Sequence, residues 1–182
     1  RPVLDLNHER PDDPFRPFGA TPGHAFEWAR LVLQVDAAAE ATGRAPGPWR
    51  REAAESLFAR AVEDVLDDEV PLLPYTTDWD GVPVVAERFH WVAAEAVQAA
   101  EALARVTGHA SYARLADRWW SEIAEHLVDD DGSWRHELSP TLGPSRRTWR
   151  GRPDAYHGVN ALTSPDLPLS PTAAEALARP RQ

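Results

Sequence analysis

The sequence predicts an all-α fold of helical hairpins arranged as in an α/α toroid, and three observations carry that prediction. Apolar residues recur every three to four positions over several long stretches. Ala-rich, broadly apolar helices alternate along the chain with amphipathic ones, so the first member of each hairpin is expected inside and the second over it. Turn-forming stretches such as "GRAPGP" and "TGHAS" separate the members of each pair.

Residues 1–20 hold so many prolines and aspartates ("RPDDPFRPFGATPG") that neither helix nor strand is expected; an ordered loop is, with Phe15 and Phe18 packed somewhere. Thr21 fits an N-cap with Pro22 at the first helical position. Trp28, Leu31, Val32 and Val35 then continue a helix to Thr42-Gly43. A second, amphipathic helix runs from about Trp49 to Leu66, and "DDEVPLLPYTTDWDGVPV" forms a long connection with short extended pieces. The third helix spans about Glu87 to Val106 and the fourth about Ser111 to Leu127, so residues 21–128 make two hairpins. Over 132–182, "DGSWRHEL" alternates like a strand of a short β-hairpin, "RTWRGRPDAYHGVNALTS" leads into a helix, and a last helix covers about Thr172 to Ala178.

The 182 residues suit one domain, and 43% apolar residues with eight tryptophans supply a core. A formal charge of −10 argues against nucleic acid and against anionic membrane surfaces as partners. Without cysteine there is no disulfide, thiolate nucleophile or Cys-based zinc site, so cofactor-free chemistry in the cytoplasm is the easiest fit. No apolar run approaches the roughly 20 residues a membrane helix needs. The chain holds no methionine and begins on Arg1-Pro2 inside an irregular segment, which fits either processing or a fragment.

Two histidines stand at expected loop-to-helix junctions. His24 falls in a first turn, where the helix dipole disfavours imidazolium, and Glu27 follows on the same side, able to orient the ring or bind a hydroxyl. The alternative, a packed His24 and a solvated Glu27, is what spacing alone favours. His157 in "GRPDAYHGVN" repeats the placement, and two such rings facing one cavity could pass protons to and from a carbon acid. Trp91 and Glu95, four apart in the Ala-rich third helix, have the makings of a sugar site, in which an indole stacks on C–H faces beside a hydroxyl-binding carboxylate. A core Trp with a surface Glu is the alternative. His90 is expected to point elsewhere, and His136 lacks the second histidine of a zinc-protease helix. No Gly-rich phosphate loop or nucleophile elbow occurs.

Taken together, "DDPFRPFGATPGHAFEWARLVLQ", "RFHWVAAEAVQAAEAL" and "GSWRHEL…TWRGRPDAYHGVNAL…PLSP" resemble the N-acylglucosamine 2-epimerase family. "GSWRHEL" with "GRPDAYH" looks most like its mannose isomerase branch. The resemblance implies an (α/α)6 barrel of the six-hairpin glycosidase type, of which this chain would be the C-terminal half. It also implies a monosaccharide substrate, no metal or other cofactor, catalytic roles for His24 and His157, and substrate-binding roles for Glu27, Trp91 and Glu95. The expected reaction is sugar isomerisation or 2-epimerisation through a cis-enediolate. Family members are about twice as long, and their N-terminal half, the expected partner, adds an arginine and a further histidine. Homodimerisation stays open. The rival classes are a non-catalytic helical scaffold and an inverting glycosidase, which would need Glu27 and Glu95 as carboxylates roughly 6.5–9.5 Å apart.

Overall fold

A computed structural model describes residues 3–63 and 70–178. Among the described residues six α-helices carry the fold: α1 (Pro22–Ala41), α2 (Pro48–Glu63), α3 (His90–Thr107), α4 (Ala110–Glu122), α5 (Ala155–Thr163) and α6 (Ala173–Ala178). α1 pairs with α2 and α3 with α4, while α1 and α3 also pack side by side and α5 lies against α3. The alternation read from composition is thus realised in space, because α3 is rich enough in Ala and Val to be buried on nearly every side from Val92 to Ala100. The covering helices bury only a stripe, Ala54, Phe58 and Ala61 of α2 and Ala116 and Trp119 of α4. Phe26, Phe58 and Trp119 interlock at ring separations of 5.2–6.0 Å, and burial of each such side chain stabilises the hairpin pair by roughly 1.5–3 kcal/mol.

Helix ends follow local chemistry with a few differences from the periodic reading. α3 starts at His90 rather than Glu87, because residues 88–89 are drawn into a strand pair, and it stops at Gly108, whose φ of 72° a side chain would resist. α4 ends in a single π turn, Ile123–Leu127, which keeps Ile123 and Leu127 buried. Thr21 occupies the N-cap position of α1, but its hydroxyl makes no capping bond. The expected last turn of the second helix, 64–66, lies outside the described residues.

Six short strands among the described residues tie the helix starts together. β1 (Val3–Asp5), β2 (Gly19–Ala20), β3 (Thr76–Thr77) and β4 (Pro83–Val85) form an antiparallel sheet in that order, and β5 (Arg88–Phe89) pairs with β6 (Glu137–Leu138). The first twenty residues, expected as loop, are therefore closed by a strand pair, since prolines between Asp5 and Gly19 leave both ends free to bond. Phe18 packs on His8, whereas Phe15 is exposed and touches Trp149 edge-on. In "DGSWRHEL" only Glu137–Leu138 is strand, and its partner is β5; Val128–Trp134 and Leu138–Pro144 are single bridges, so the expected hairpin is reduced to a looped pair of contacts. β2 leads directly into α1 and β5 directly into α3. The two pairings thereby bring the amino ends of α1 and α3 to one end of the bundle, beside the segment that leads to α5.

Candidate active site

Three helix starts meet at that end, and each delivers a histidine. α1 brings His24, α3 brings His90 followed by Trp91, and α5 brings His157 behind its N-cap Asp154. The indole of Trp91 adjoins two of them, its ring centre 5.2 Å from that of His24 and 5.7 Å from that of His157. Tyr75 meets Trp91 edge-on at 6.1 Å. This closeness depends on Gly23: a Cβ there would stand 2.5 Å from Trp91 Cζ3 and 3.1 Å from Val92 Cγ2. Glycine lets the first turn of α1 sit on the indole, which explains in physical terms a Gly-His start to this helix.

Each histidine has a distinct environment. Burial is the main cause lowering the pKa of His24, opposed by the charge of Glu27 and assisted by that of His157, so the ring is neutral at pH 7. The helix-dipole argument from sequence reaches the same protonation state by a lesser route. His157 donates Nδ1–H to Asp154 Oδ1 at 2.9 Å while its backbone N–H is capped by the same oxygen at 3.0 Å. In the neutral ring that leaves a lone pair on Nε2, which lies 3.9 Å from Glu95 Oε1. Asp154 is itself held below the ordinary carboxylate range; burial pushes it up, but the His157 backbone and ring bonds and the charges of His157 and His90 outweigh that.

Glu95 is not a surface acid. It is fully buried and clasped by Arg30 through contacts of 2.9, 3.1 and 3.2 Å, with Gln98 Nε2 at 3.5 Å. Burial raises its pKa and Arg30 pulls it back. The carboxylate faces the guanidinium, an arrangement unsuited to one half of a glycosidase acid pair. Glu27 is half-buried and coupled electrostatically to both His24 and Glu95.

His90 does not point away, as its helical position suggested. It is 1% exposed, its ring centre lies 6.1 Å from that of His157, and burial brings its pKa down to about 4. Helix α3 starts three residues later than expected, at His90, and the β5–β6 pairing sets that first turn against Trp134 and His136. His136 contributes its carbonyl, which accepts from His90 Nδ1 at 3.3 Å.

The structure therefore brings His24, His157, Glu27, Trp91 and Glu95 into one cluster and adds Asp154, Arg30 and Gly23. Two sequence signals could have found the additions. Asp154 stands three residues before His157 at a helix start, the N-cap spacing. His24, Glu27, Arg30 and Gln34 form a polar stripe at steps of three, three and four on an otherwise apolar helix.

Inner and outer helices in this order, with histidines and carboxylates gathered where the inner helices begin, define a protein of the (α/α)6-barrel class, of which this chain supplies about half. The chain belongs to the N-acylglucosamine 2-epimerase family, whose model matches residues 1–161. It is 46% identical over 180 residues to a D-mannose isomerase of Pseudomonas cannabina pv. alisalensis, covering 98% of this chain and 44% of that protein. A D-mannose isomerase of Thermobifida fusca is 45% identical over 179 residues, covering 97% and 43% respectively. Among solved structures, a D-mannose isomerase superposes with a TM-score of 0.78 at 27% identity, over 90% of this chain and 41% of that one. A cellobiose 2-epimerase from Spirochaeta thermophila superposes at 0.64 with 21% identity, over 83% and 38%, a likeness of fold. The chain thus spans less than half the length of the relatives it matches. Among the described residues no helix is long and apolar enough to cross a membrane.

Proposed function

We propose that the complete protein containing this chain is a cytoplasmic sugar aldose–ketose isomerase acting on D-mannose or a related aldohexose. The observation that carries the reading is the placement of two imidazoles, His24 and His157, against one indole, with ring centres 5.2 and 5.7 Å from its own. A sugar stacked on Trp91 would present its C1–C2 edge to both. The similarity to D-mannose isomerases supports the choice of substrate.

The roles divide by environment. His157, oriented by Asp154 and stabilised by it when charged, is the group to remove the C2 hydrogen as a proton with Nε2. The electron pair left behind forms the C1–C2 enediolate. The proton returns to C1 while the O2 hydrogen passes to O1, giving the ketose. His24, kept neutral by burial, exchanges the hydroxyl protons and opens the ring. Glu95, locked by Arg30, positions His157, and Glu27 orients His24 or a substrate hydroxyl. Both steps are proton transfers, so neither calls for a metal or redox cofactor.

Further barrel is part of the proposal. Trp28 and Val35 on α1 and Tyr156, Val159 and Leu162 on α5 are each more than half exposed, and α1, α3 and the segment after α5 border a groove of about 660 Å³. In the complete protein the remaining helices cover this surface, as the relatives' length supports.

The test is turnover of mannose by the full-length protein in deuterated water, followed by NMR. Fructose labelled at C1, and its loss in His24→Ala and His157→Ala, is the expected result. The family model's description favours one other reading, a 2-epimerase, which would put the label at C2 of a second aldose. No label at either carbon and no ketose would sink both and point to a non-catalytic helical scaffold, and turnover at unchanged rates in the two variants would remove His24 and His157 from the reaction.

A further inference from the structure

His90 Nε2 faces Asp154 Oδ2 at 3.3 Å, yet makes no hydrogen bond. The oxygen lies off the axis of that ring nitrogen. Nδ1 points at the His136 carbonyl at 3.3 Å and so carries the hydrogen of the neutral ring, leaving Nε2 with a lone pair beside a carboxylate oxygen that is also an acceptor. Two acceptors this close are stable together when a cation lies between them. The ring is 1% exposed, so bulk water does not relieve the contact. His157 closes the group: one ligating atom each from His90, Asp154 and His157 lies within 4.8 Å of the other two.

We propose that His90, Asp154 and His157 form a binding site for a divalent transition-metal ion of the Zn2+ class, and that the bound ion switches the proton-transfer site off. Two imidazoles and one carboxylate are the donor set such ions select, and a fourth position stays open for water. The separation of 3.3 Å between His90 Nε2 and Asp154 Oδ2 is close to the roughly 3.4 Å edge of a tetrahedron with bonds of about 2.1 Å. The bond from His90 Nδ1 to a backbone carbonyl is the support that metal-binding histidines use to fix ring and tautomer. Asp154 sits at the N-cap of α5 with a side chain about half exposed, so it and His157 can close on the ion together.

Switching off follows from the chemistry of His157, and this part rests on the proposed isomerase reading. If Nε2 binds the ion, the lone pair that accepts the C2 proton is occupied. If Nδ1 binds it, the hydrogen of that nitrogen moves to Nε2, which then carries N–H. Either way the ring no longer accepts a proton. The ion is an inhibitor here and takes no part in turnover.

The experiment titrates Zn2+ alone into the full-length, chelator-treated protein by calorimetry, with Co2+ as a spectroscopic probe and mannose turnover measured in parallel. One ion per chain is expected, with a micromolar or tighter Kd, tetrahedral Co2+ bands, and inhibition over the same concentration range. His90→Gln should weaken both binding and inhibition about tenfold or more. Asp154→Asn, at a partly exposed cap position that Asn also fills, repeats the test should His90→Gln unfold. Absence of Zn2+ binding in a folded protein, or binding that neither variant weakens, overturns the site. Metal binding in a protein that turns over no sugar leaves the site standing and removes only the isomerase reading.

Discussion

Replacing Arg30 with methionine keeps the length and bulk of the side chain but strips the guanidinium from a carboxylate that has nowhere else to turn. Glu95 is fully buried, and of its contacts only Gln98 Nε2, at 3.5 Å, and His157 Nε2, at 3.9 Å, would remain. Breaking a buried pair from one side typically costs about 3–5 kcal/mol, because the remaining charge is uncompensated. With a urea slope of about 2–3 kcal/mol/M, the unfolding midpoint should drop by roughly 1–2.5 M at pH 8. The bared carboxylate relieves itself by taking up a proton. Each unit of pH decrease below its new pKa then returns about 1.4 kcal/mol of the loss, so the deficit should shrink steadily towards pH 5. Adding Glu95→Gln in the Arg30→Met background removes the orphaned charge and should recover about 2 kcal/mol at pH 8. Equilibrium urea unfolding of the wild type and the two variants across pH 5–8 is the assay. A loss under about 1 kcal/mol, the value of an exposed ion pair, or one that does not change with pH, would refute the buried-clasp argument.

Asp154→Asn keeps an N-cap for α5 but loses the charge that fixes the His157 tautomer, so kcat should fall about 100-fold or more with stability within about 1 kcal/mol of wild type. Equal losses in stability and activity would count against a role through His157. Gly23→Ala drives a methyl into Trp91, and about 1–3 kcal/mol of destabilisation with a raised KM for sugar is expected; calorimetric melting and steady-state kinetics decide it. The His24 ring, followed by NMR, should titrate below 6.5, and lower still in Glu27→Gln, because Glu27 is the charge that raises it. With its folded pKa depressed, His24 binds a proton more readily in the unfolded chain, so its contribution to stability is present above pH 6.5 and is lost as the pH falls below it.

Most of the helices were legible because helix formation is written in short-range spacing: Thr21-Pro22 opens α1, Gly108 closes α3, and alternating Ala-rich and amphipathic segments identify which members lie inside. The pair of histidines at helix starts was legible for the same reason. The short strands were legible only in part: β3, β4 and β6 fall in segments read as extended, whereas β1, β2 and β5 have too little pattern to register, and β5 and β6 exist because they find each other across the whole α3–α4 hairpin. That pairing drew residues 88–89 out of the expected helix and placed His90 in the site.

What the sequence determined by itself, then, is the set of helices and the residues that could do chemistry, because both depend on neighbours a few positions apart. What only the tertiary structure decided is which of those residues meet and in what state. Arg30 and Glu95 stand 65 positions apart, and nothing local says that one will neutralise the other in the dark of the core. His24 and His157 share an indole only because strand pairing gathers three helix starts at one end, and burial there, a property of the assembled fold, sets the protonation of His24, His90 and Glu95.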